Sequence, residues 1–388
     1  MTKPFKVDVA QSKLDQILDR VKSTNFPKAP AKSAKGAGAE WGYGANISYM
    51  QEFAAYWTDE FDWRKAEAAL NAHPQFTAPV TVDDEMLELH FYHVKSPRSD
   101  ATPLILSHGW PGSVFEFLHL IEPLSNPSAG EPAFHVVVPS LPGYGYSQAP
   151  QNPISPRHIG AYFNTLMTDV LGYDSYIAQG GDWGGAISAA MALDHDACSA
   201  VHLNILGWWS PGVGPETDEE KAHAAAGEAV AFMEGAYFQM QIAKPSSLGL
   251  ALQDSPVGWA AWAIEKWNTW SDTEADNLES VYTKDQMLTN IMLYLVTDSI
   301  GTALWPYRGI IEDGWGTPIE PGAQVTKPTA IAKFPSEVAM YAFPPRSQVE
   351  KSYSNIVQWT EFEAGGHFAA MEQPEAFLRD VRSLAGYV

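Results

Sequence analysis

The chain contains 388 residues, of which 45% are hydrophobic and 12% aromatic, so it has enough apolar material for a large core in two or three structural units. Its 24 basic and 46 acidic residues give a formal net charge of −22, which argues against nucleic acid and anionic membrane surfaces as partners. A single cysteine, Cys198, excludes an internal disulfide, and no apolar stretch resembles a signal peptide or a membrane anchor. The sequence therefore predicts a cytoplasmic protein.

The first 97 residues are predicted to form a helical and hairpin region that wraps the core. Three segments have apolar residues at helical spacing: Gln11–Val21, Ile47–Tyr56 and Arg64–Asn71. Alternating apolar residues then predict paired strands at Val80–Val82 and Leu87–Val94.

From residue 98 onwards, strand and helix patterns alternate. The strand patterns are Leu104–Ser107, Val136–Pro139, Tyr176–Gln179 and Ala200–Leu203, then Thr329–Ala332 and Ile356–Trp359. Helices between strands predict an α/β fold with a mostly parallel sheet and right-handed crossovers. Helical sequence in residues 208–309 interrupts the alternation, which predicts a lid inserted between strands. The core would then consist of residues 98–207 and 310–388.

One strand leads into a glycine-rich turn that carries a carboxylate. The sequence Gln179-Gly180-Gly181-Asp182-Trp183-Gly184 follows an apolar strand and opens a helix of small residues. This is the setting of the nucleophile elbow in α/β-hydrolases, with aspartate in place of serine. Taken alone, the pattern is equally well explained by an Asp182 side chain that caps the following helix.

A second motif, His108-Gly109-Trp110-Pro111-Gly112-Ser113, follows the strand Leu104–Ser107 directly. In α/β-hydrolases the loop at this place supplies one amide of the oxyanion hole, and the residue after the nucleophile supplies the other. We therefore expect the amides of Trp110 and Trp183 to form this hole. His108 itself is interpreted as a structural residue.

A base and an acid are expected after the nucleophile, because this fold runs nucleophile, acid, histidine along the chain. His367 lies in Gly365-Gly366-His367-Phe368, just beyond the last strand pattern, where a loop would return a base to the elbow. Glu337, in Phe334-Pro335-Ser336-Glu337, is the best acid. The rival acids are Glu350, Glu361 and Glu363, which are interpreted as surface carboxylates.

These motifs resemble the epoxide hydrolases of the microsomal and fungal type, whose pattern includes an HGWPGS loop, a GGDWG elbow, an FPxE/D acid segment and a GGHFAA segment. The resemblance extends from Phe61-Asp62-Trp63-Arg64 and His73-Pro74-Gln75-Phe76 to Asp254-Ser255-Pro256-Val257-Gly258, so it covers nearly the whole chain. It implies that two lid tyrosines bind and protonate the epoxide oxygen. They map onto Tyr237 and Tyr307, with Tyr294 as the alternative to the second.

The resemblance implies a detoxification hydrolase that converts an apolar epoxide and water to a vicinal diol. Asp182 would form an ester with the substrate, and His367, oriented by Glu337, would activate water to cleave it. Neither a cofactor nor a metal is required. His90 and His93 would point to opposite faces of a strand, which argues against a zinc site.

The lid composition predicts an apolar pocket. Half of the 14 tryptophans fall in the lid or at its edge: Trp208, Trp209, Trp259, Trp262, Trp267, Trp270 and Trp305. A homodimer is compatible with the sequence.

Two other functions remain open. A haloalkane dehalogenase shares the fold and the aspartate nucleophile, but its halide site commonly has Asn where this chain has Trp110. A catalytically silent ligand-binding protein is the second, although it would have no need for Asp182, Glu337 and His367 together. A serine esterase is disfavoured because no Gly-x-Ser-x-Gly elbow occurs.

Overall fold

A computed structural model describes residues 1–29, 41–205, 214–274, 277–315 and 322–387. Within these ranges the strands are β1 (Lys3–Phe5), β2 (Gln75–Val82), β3 (Glu85–Val94), β4 (Thr102–Ser107), β5 (Phe134–Pro139), β6 (Tyr176–Gly180), β7 (Cys198–Leu203), β8 (Thr329–Lys333) and β9 (Ile356–Glu361). They form one nine-stranded sheet in the order β1-β2-β3-β5-β4-β6-β7-β8-β9.

Strands β4 to β9 form the parallel part of the sheet, and β1 to β3 add an antiparallel edge. The central strand β6 is buried along its whole length, as expected for a parallel strand covered on both faces. Strand β4 has β5 on one side and β6 on the other, so the strand order reverses around it. The carboxyl ends of strands at such a reversal border the crevice in which α/β proteins bind ligands.

The N-terminal region is joined to the core more closely than the sequence indicated. Its helices are α1 (Gln11–Lys22), α2 (Ile47–Asp59) and α3 (Trp63–Leu70), in agreement with the predicted helices. The β2–β3 hairpin, however, is part of the main sheet, because β3 pairs antiparallel with β5. The sequence did not predict β1, which pairs with β2 and is too short to show a periodic pattern.

The helices of the core are α4 (Leu118–Ser125), α5 (Pro156–Thr165), α6 (Trp183–Asp194), α13 (Arg346–Val349), α14 (Ala369–Glu372) and α15 (Pro374–Leu384). Helix α5 begins at Pro156, since the Ser155 side chain accepts a hydrogen bond from the His158 amide and proline suits the first helical position. Helix α6 is buried from Trp183 to Ala192, and its small side chains let it pack closely.

A helical insertion separates β7 from β8. It contains α7 (Asp218–Glu234), α8 (Ala236–Ala243), α9 (Pro245–Asp254), α10 (Pro256–Trp270), α11 (Lys284–Val296) and α12 (Trp305–Glu312). Tyr237 of α8 stacks on Trp110, which follows β4, with ring centroids 5.3 Å apart. Tyr307 of α12 meets Trp183 edge-on at 4.6 Å. The insertion therefore lies over the carboxyl ends of the central strands.

The N-terminal helices also contact this insertion. Lys13 Nζ of α1 lies 2.6 Å from Asp298 Oδ1, and the Tyr56 hydroxyl of α2 donates a hydrogen bond to Asp285. Helices α1 and α2 thus contact the insertion through polar side chains.

The predicted fold class is confirmed, because a mostly parallel sheet carries helices between its strands and a helical insertion before β8. Domain limits at residues 97, 207 and 309 stay predictions. Trp208 and Trp209 lie outside the described residues. None of the helices that the structure describes combines the length and the apolarity needed to cross a bilayer.

Candidate active site

Asp182 occupies the turn between β6 and α6. Its backbone has a φ of 52° and a ψ of −130°, a conformation that costs a residue other than glycine on the order of 1–3 kcal/mol. Helix capping does not explain this strain, because the Asp182 side chain makes no capping hydrogen bond within the described part of α6. The turn holds the carboxylate above the strand ends instead.

Two glycines allow the chain to approach this turn closely. A β-carbon on Gly184 would collide with the carbonyl group of Ser107 at the end of β4, and one on Gly109 would collide with the Asp182 carboxylate. Only glycine therefore fits at these two points, where the loop after β4 meets the turn after β6.

The Asp182 carboxylate has one oxygen fixed by the backbone. The Trp110 amide donates a hydrogen bond of 2.8 Å to Asp182 Oδ1, as an oxyanion-hole donor would. For the Trp183 amide, the described residues include no such bond to Asp182, so its place in an oxyanion hole stays a prediction. Trp183 itself is buried beside the carboxylate.

The structure brings Glu337 and His367 to Asp182. His367 Nε2 lies 3.3 Å from Asp182 Oδ2, a contact between charged groups without the alignment of a hydrogen bond. On the other side of the ring, His367 Nδ1 lies 2.9 Å from Glu337 Oε2. Glu337 follows β8 and His367 follows β9, so three strand ends supply the three side chains.

The surroundings of His367 decide its charge. Burial disfavours the charged imidazolium, but the carboxylates of Glu337 and Asp182 outweigh this effect and raise the pKa of His367 to about 10. His367 is therefore protonated at neutral pH. If Asp182 loses its charge, the protonated form of His367 loses part of its stabilisation and the pKa of His367 falls.

Tyr237 and Tyr307, on helices of the insertion, lie near the carboxylate and pack against Trp110 and Trp183. Both are almost completely buried, and their ring centroids lie 6.1 Å apart. Burial raises the pKa of each phenol well above its usual range, and the Asp182 charge adds to this effect. The two tyrosines are therefore neutral hydrogen-bond donors.

Tyr294, the alternative to Tyr307, has its hydroxyl engaged elsewhere. It donates a short hydrogen bond to the Gly112 carbonyl, and its ring packs against Trp259. The Tyr307 ring instead contacts both Trp183 and Tyr237. Tyr307 thus lies beside Tyr237, and among the described residues its hydroxyl has no hydrogen bond to a backbone carbonyl like that of Tyr294.

The other histidines singled out in the sequence have separate partners. His90 bonds to Ser140 and Gln75, whereas His93 bonds to Tyr173. His108 is buried, and its Nε2 accepts a hydrogen bond from the Leu141 amide. Burial lowers the pKa of His108 to about 4. Across the described ranges, no group of three or more His, Cys, Asp or Glu side chains has the arrangement of a metal site.

Sequence reasoning missed Tyr341 and Lys266, and it named Trp270 only as one of the lid tryptophans. The Tyr341 hydroxyl lies 2.7 Å from the Tyr237 hydroxyl, and the Trp270 ring contacts His367 at 4.6 Å. Lys266 of α10 places its ammonium 4.8 Å from the centre of the Tyr237 ring. Tyr341 lies on the same loop as Glu337, but neither its spacing nor its neighbours single it out.

Asp272, just after α10, ties the insertion to the loops of the acid and the base. Its carboxylate accepts hydrogen bonds from the Ser336 hydroxyl at 2.6 Å and from the Gly365 amide at 2.8 Å. Its own amide donates to Glu372, and the His367 amide donates to the Trp270 carbonyl. The end of α10 therefore fixes the positions of Glu337 and His367 from above.

Glu116 is a second buried carboxyl group near Asp182. It lines a small cavity together with Asp182 and His367, and Gly112 leaves the space that its carboxyl occupies. Burial raises the pKa of Glu116 to about 8, with the His367 charge opposing and the Asp182 charge adding to the rise. Glu116 is therefore neutral at pH 7.

Comparisons with known proteins identify the family of this chain. The model of the epoxide hydrolase N terminus matches residues 2–117, and that of the alpha/beta hydrolase fold matches residues 102–299. The chain is 33% identical to epoxide hydrolase 1 of Oryctolagus cuniculus, over 100% of this chain and 89% of that protein. It belongs to the epoxide hydrolase family.

Solved structures of epoxide hydrolases have the same fold. The Aspergillus niger epoxide hydrolase superposes with a TM-score of 0.83 at 31% identity, covering 100% of this chain and 96% of that one. The juvenile hormone epoxide hydrolase of the silkworm Bombyx mori gives the same TM-score at 30% identity, covering 100% of this chain and 93% of that one. The match to this family thus includes the N-terminal region and the helical insertion.

Proposed function

We propose that the protein hydrolyses apolar epoxides to vicinal diols through an ester of Asp182. The observation that carries this proposal is the setting of the Asp182 carboxylate. One oxygen is held by the Trp110 amide, the other lies 3.3 Å from His367, and two buried phenols pack against the neighbouring Trp110 and Trp183. This arrangement supports Asp182 as nucleophile, His367 as base and the two phenols as acids.

The first half-reaction forms the ester. Since Oδ1 is bound by the Trp110 amide, Oδ2 is the atom that attacks the epoxide carbon from the side opposite the breaking C–O bond. The electron pair of that bond moves to the epoxide oxygen. Tyr237 and Tyr307 donate hydrogen bonds to it, and one of them gives up its proton.

Formation of the ester prepares His367 to act as a base. The ester has no negative charge, so one of the two carboxylates that raise the pKa of His367 is lost and its pKa falls. The proton that His367 releases replaces the one that the phenol gave to the epoxide oxygen, so the phenol is restored and His367 becomes neutral.

The second half-reaction cleaves the ester. Neutral His367, oriented by Glu337 at 2.9 Å, takes a proton from water as the water oxygen adds to the Asp182 carboxyl carbon. The negative charge that develops on Oδ1 is stabilised by the Trp110 amide and by the predicted Trp183 donor, each worth about 3 kcal/mol in acyl-transfer enzymes. The ester C–O bond then breaks with its electron pair on the substrate oxygen, which takes the proton of the new carboxyl group. The diol leaves, and the Asp182 carboxylate and protonated His367 are restored.

The lining of the pocket favours apolar substrates. Trp110, Trp183, Trp270 and Phe238 surround the two tyrosines with ring-to-ring contacts. We propose that the helical insertion acts as the lid over this pocket, as the sequence predicted. An aryl epoxide such as styrene oxide matches both the aromatic lining and the buried phenols.

A direct test compares styrene oxide with 1-chlorobutane as substrates. We expect diol from the epoxide and no chloride release from the chloroalkane, because the phenols suit an alkoxide that needs a proton. Intact-mass spectrometry of the His367→Gln variant should reveal one substrate molecule bound to the enzyme, and peptide mapping should locate it at Asp182. Chloride release without diol would support a dehalogenase, and binding without turnover of either compound would support a silent ligand-binding protein.

A further inference from the structure

A buried lysine faces the ring of Tyr237. The Lys266 side chain is 7% exposed, and its Nζ lies 4.8 Å from the Tyr237 ring centre and 5.6 Å from the Trp262 ring centre. Lysine is almost never buried in this way unless its charge is matched. Here the ammonium is stabilised by the ring faces of Tyr237 and Trp262 and by the neighbouring carboxylate of Glu265.

The Lys266 ammonium lies where little water screens it, so its charge acts strongly on neighbouring groups. Glu265 forms a short ion pair with Lys266, and burial raises the pKa of the nearby Glu234, with Glu265 adding to the rise and Lys266 opposing it. An ion pair on the surface would avoid the cost of removing these charges from water. The Tyr237 ring is also stacked on Trp110, with an interplanar angle of 10°. The ring is thus fixed relative to the ammonium.

We propose that Lys266 is a positioning residue that acts through Tyr237, by stabilising the negative charge that develops on the phenol oxygen when Tyr237 protonates the epoxide oxygen. This proposal rests on the role of Tyr237 in the proposed function. Lys266, on α10 of the insertion, would then affect the first half-reaction only.

The need for such a cation follows from the surroundings of Tyr237. Burial raises the pKa of this phenol well above its usual range, and Tyr307, Tyr341 and Asp182 add to the rise. Each of these groups therefore makes the phenol a poorer acid. A cation over the ring acts in the opposite direction, and its effect is largest where water is excluded.

The test measures ester formation in a His367→Gln background, where hydrolysis of the ester is expected to be about a thousandfold slower. Enzyme in excess is mixed with styrene oxide, and the adduct is followed by intact-mass spectrometry. Adding Lys266→Met should slow ester formation about tenfold, whereas Lys266→Arg, which keeps the charge, should stay within about threefold of the reference. If Lys266→Met does not fold, Lys266→Gln replaces it, with thermal unfolding as the check.

A double-mutant cycle separates an effect through Tyr237 from a general loss of packing. In a Tyr237→Phe, His367→Gln background, Lys266→Met should have almost no further effect, because no phenol remains to be stabilised. Lys284→Met is the matched control. Lys284 also lies over a tyrosine ring, 5.5 Å from Tyr56, and pairs with Glu279, but away from the site. It should leave ester formation unchanged.

An unchanged rate in Lys266→Met, or an equal slowing with and without the Tyr237 hydroxyl, would overturn the proposal while leaving the ester mechanism intact. Absence of any ester in the His367→Gln reference would instead contradict the proposed function, and the role of Lys266 with it.

Discussion

The two sides of the site differ in charge and in how the chain builds them. On the sheet side, Asp182, Glu337 and His367 follow β6, β8 and β9 and form a row of charged contacts. On the insertion side, the neutral phenols of Tyr237 and Tyr307 are packed among aromatic rings on α8 and α12. The reacting groups on the sheet side are thus charged, whereas those on the insertion side are neutral hydrogen-bond donors.

This difference separates two chemical tasks. In the proposed mechanism, a covalent bond to substrate is made and broken on the sheet side, while the leaving oxygen is protonated on the insertion side. Changes on the sheet side should therefore stop the cycle at a defined stage. Changes on the insertion side should slow the first stage and leave the second unaffected.

The largest effect is expected for Asp182→Ala. Removal of the carboxylate removes the atom that attacks the epoxide, so diol formation should fall to the rate of the uncatalysed reaction. Chromatography of the diol from styrene oxide measures this, with thermal unfolding as the control for folding. Retained turnover in this variant would mean that the sheet side does not supply the nucleophile.

For His367→Gln we expect steady turnover to fall about a thousandfold, in the range typical for loss of a general base. Ester formation should persist, because the attack by Asp182 needs no base. Quenched-flow kinetics combined with intact-mass spectrometry would follow the adduct. If diol formation and adduct formation were lost together, the two stages would not be separable in the way proposed.

Tyr237→Phe and Tyr307→Phe should each slow ester formation about a hundredfold, which is the usual loss for one donor to a developing oxyanion. Tyr294→Phe serves as the matched control, since its hydroxyl donates to the Gly112 carbonyl. It should change the rate much less than either of the others. A larger effect at Tyr294 than at Tyr307 would transfer the role of second phenol to Tyr294.

A change in stability, and not in rate, is expected for the neutral carboxyl of Glu116 on the sheet side. Burial raises the pKa of Glu116 from an ordinary value of 4.5 to about 8, so the folded protein holds this proton more tightly than the unfolded chain. Stability should therefore be lost as the pH rises from about 5 to 8, by up to about 1.4 kcal/mol per pH unit. Glu116→Gln removes this contribution.

Urea unfolding of wild type and Glu116→Gln at several pH values between 5 and 8 would measure the difference. The free energy of unfolding of the variant should gain on that of the wild type as the pH rises. Parallel curves for the two proteins would show that Glu116 is ionised in the folded state, and hence that the sheet side carries a further negative charge.

The sequence predicted the sheet side better than the insertion side. Asp182, Trp110, Glu337 and His367 each stand just after a strand, and parallel strands bring their carboxyl ends to one edge of the sheet. Local patterns are then enough to predict that these residues meet. The extra edge strand β1 and the pairing of the hairpin with β5 depend on non-local contacts and were not predicted.

Positions in the insertion follow from how its helices pack. Lys266, Asp272 and Tyr341 reach the site only because α10 and the loop after Glu337 settle over the strand ends. No periodicity or motif in the sequence fixes that arrangement. Tyr237 and Tyr307 were found through family resemblance, and the competing Tyr294 could be set apart only once its hydrogen bond to Gly112 was known.

The central claim is that Asp182 forms an ester, and one turnover in oxygen-18 water tests it most directly. With enzyme in excess over styrene oxide, the oxygen added to the diol comes from Asp182, so the first-turnover diol should carry no label from the solvent. The label should appear in the peptide that contains Asp182. Heavy oxygen in the first-turnover diol, with none in the enzyme, would show direct attack by water and contradict the account.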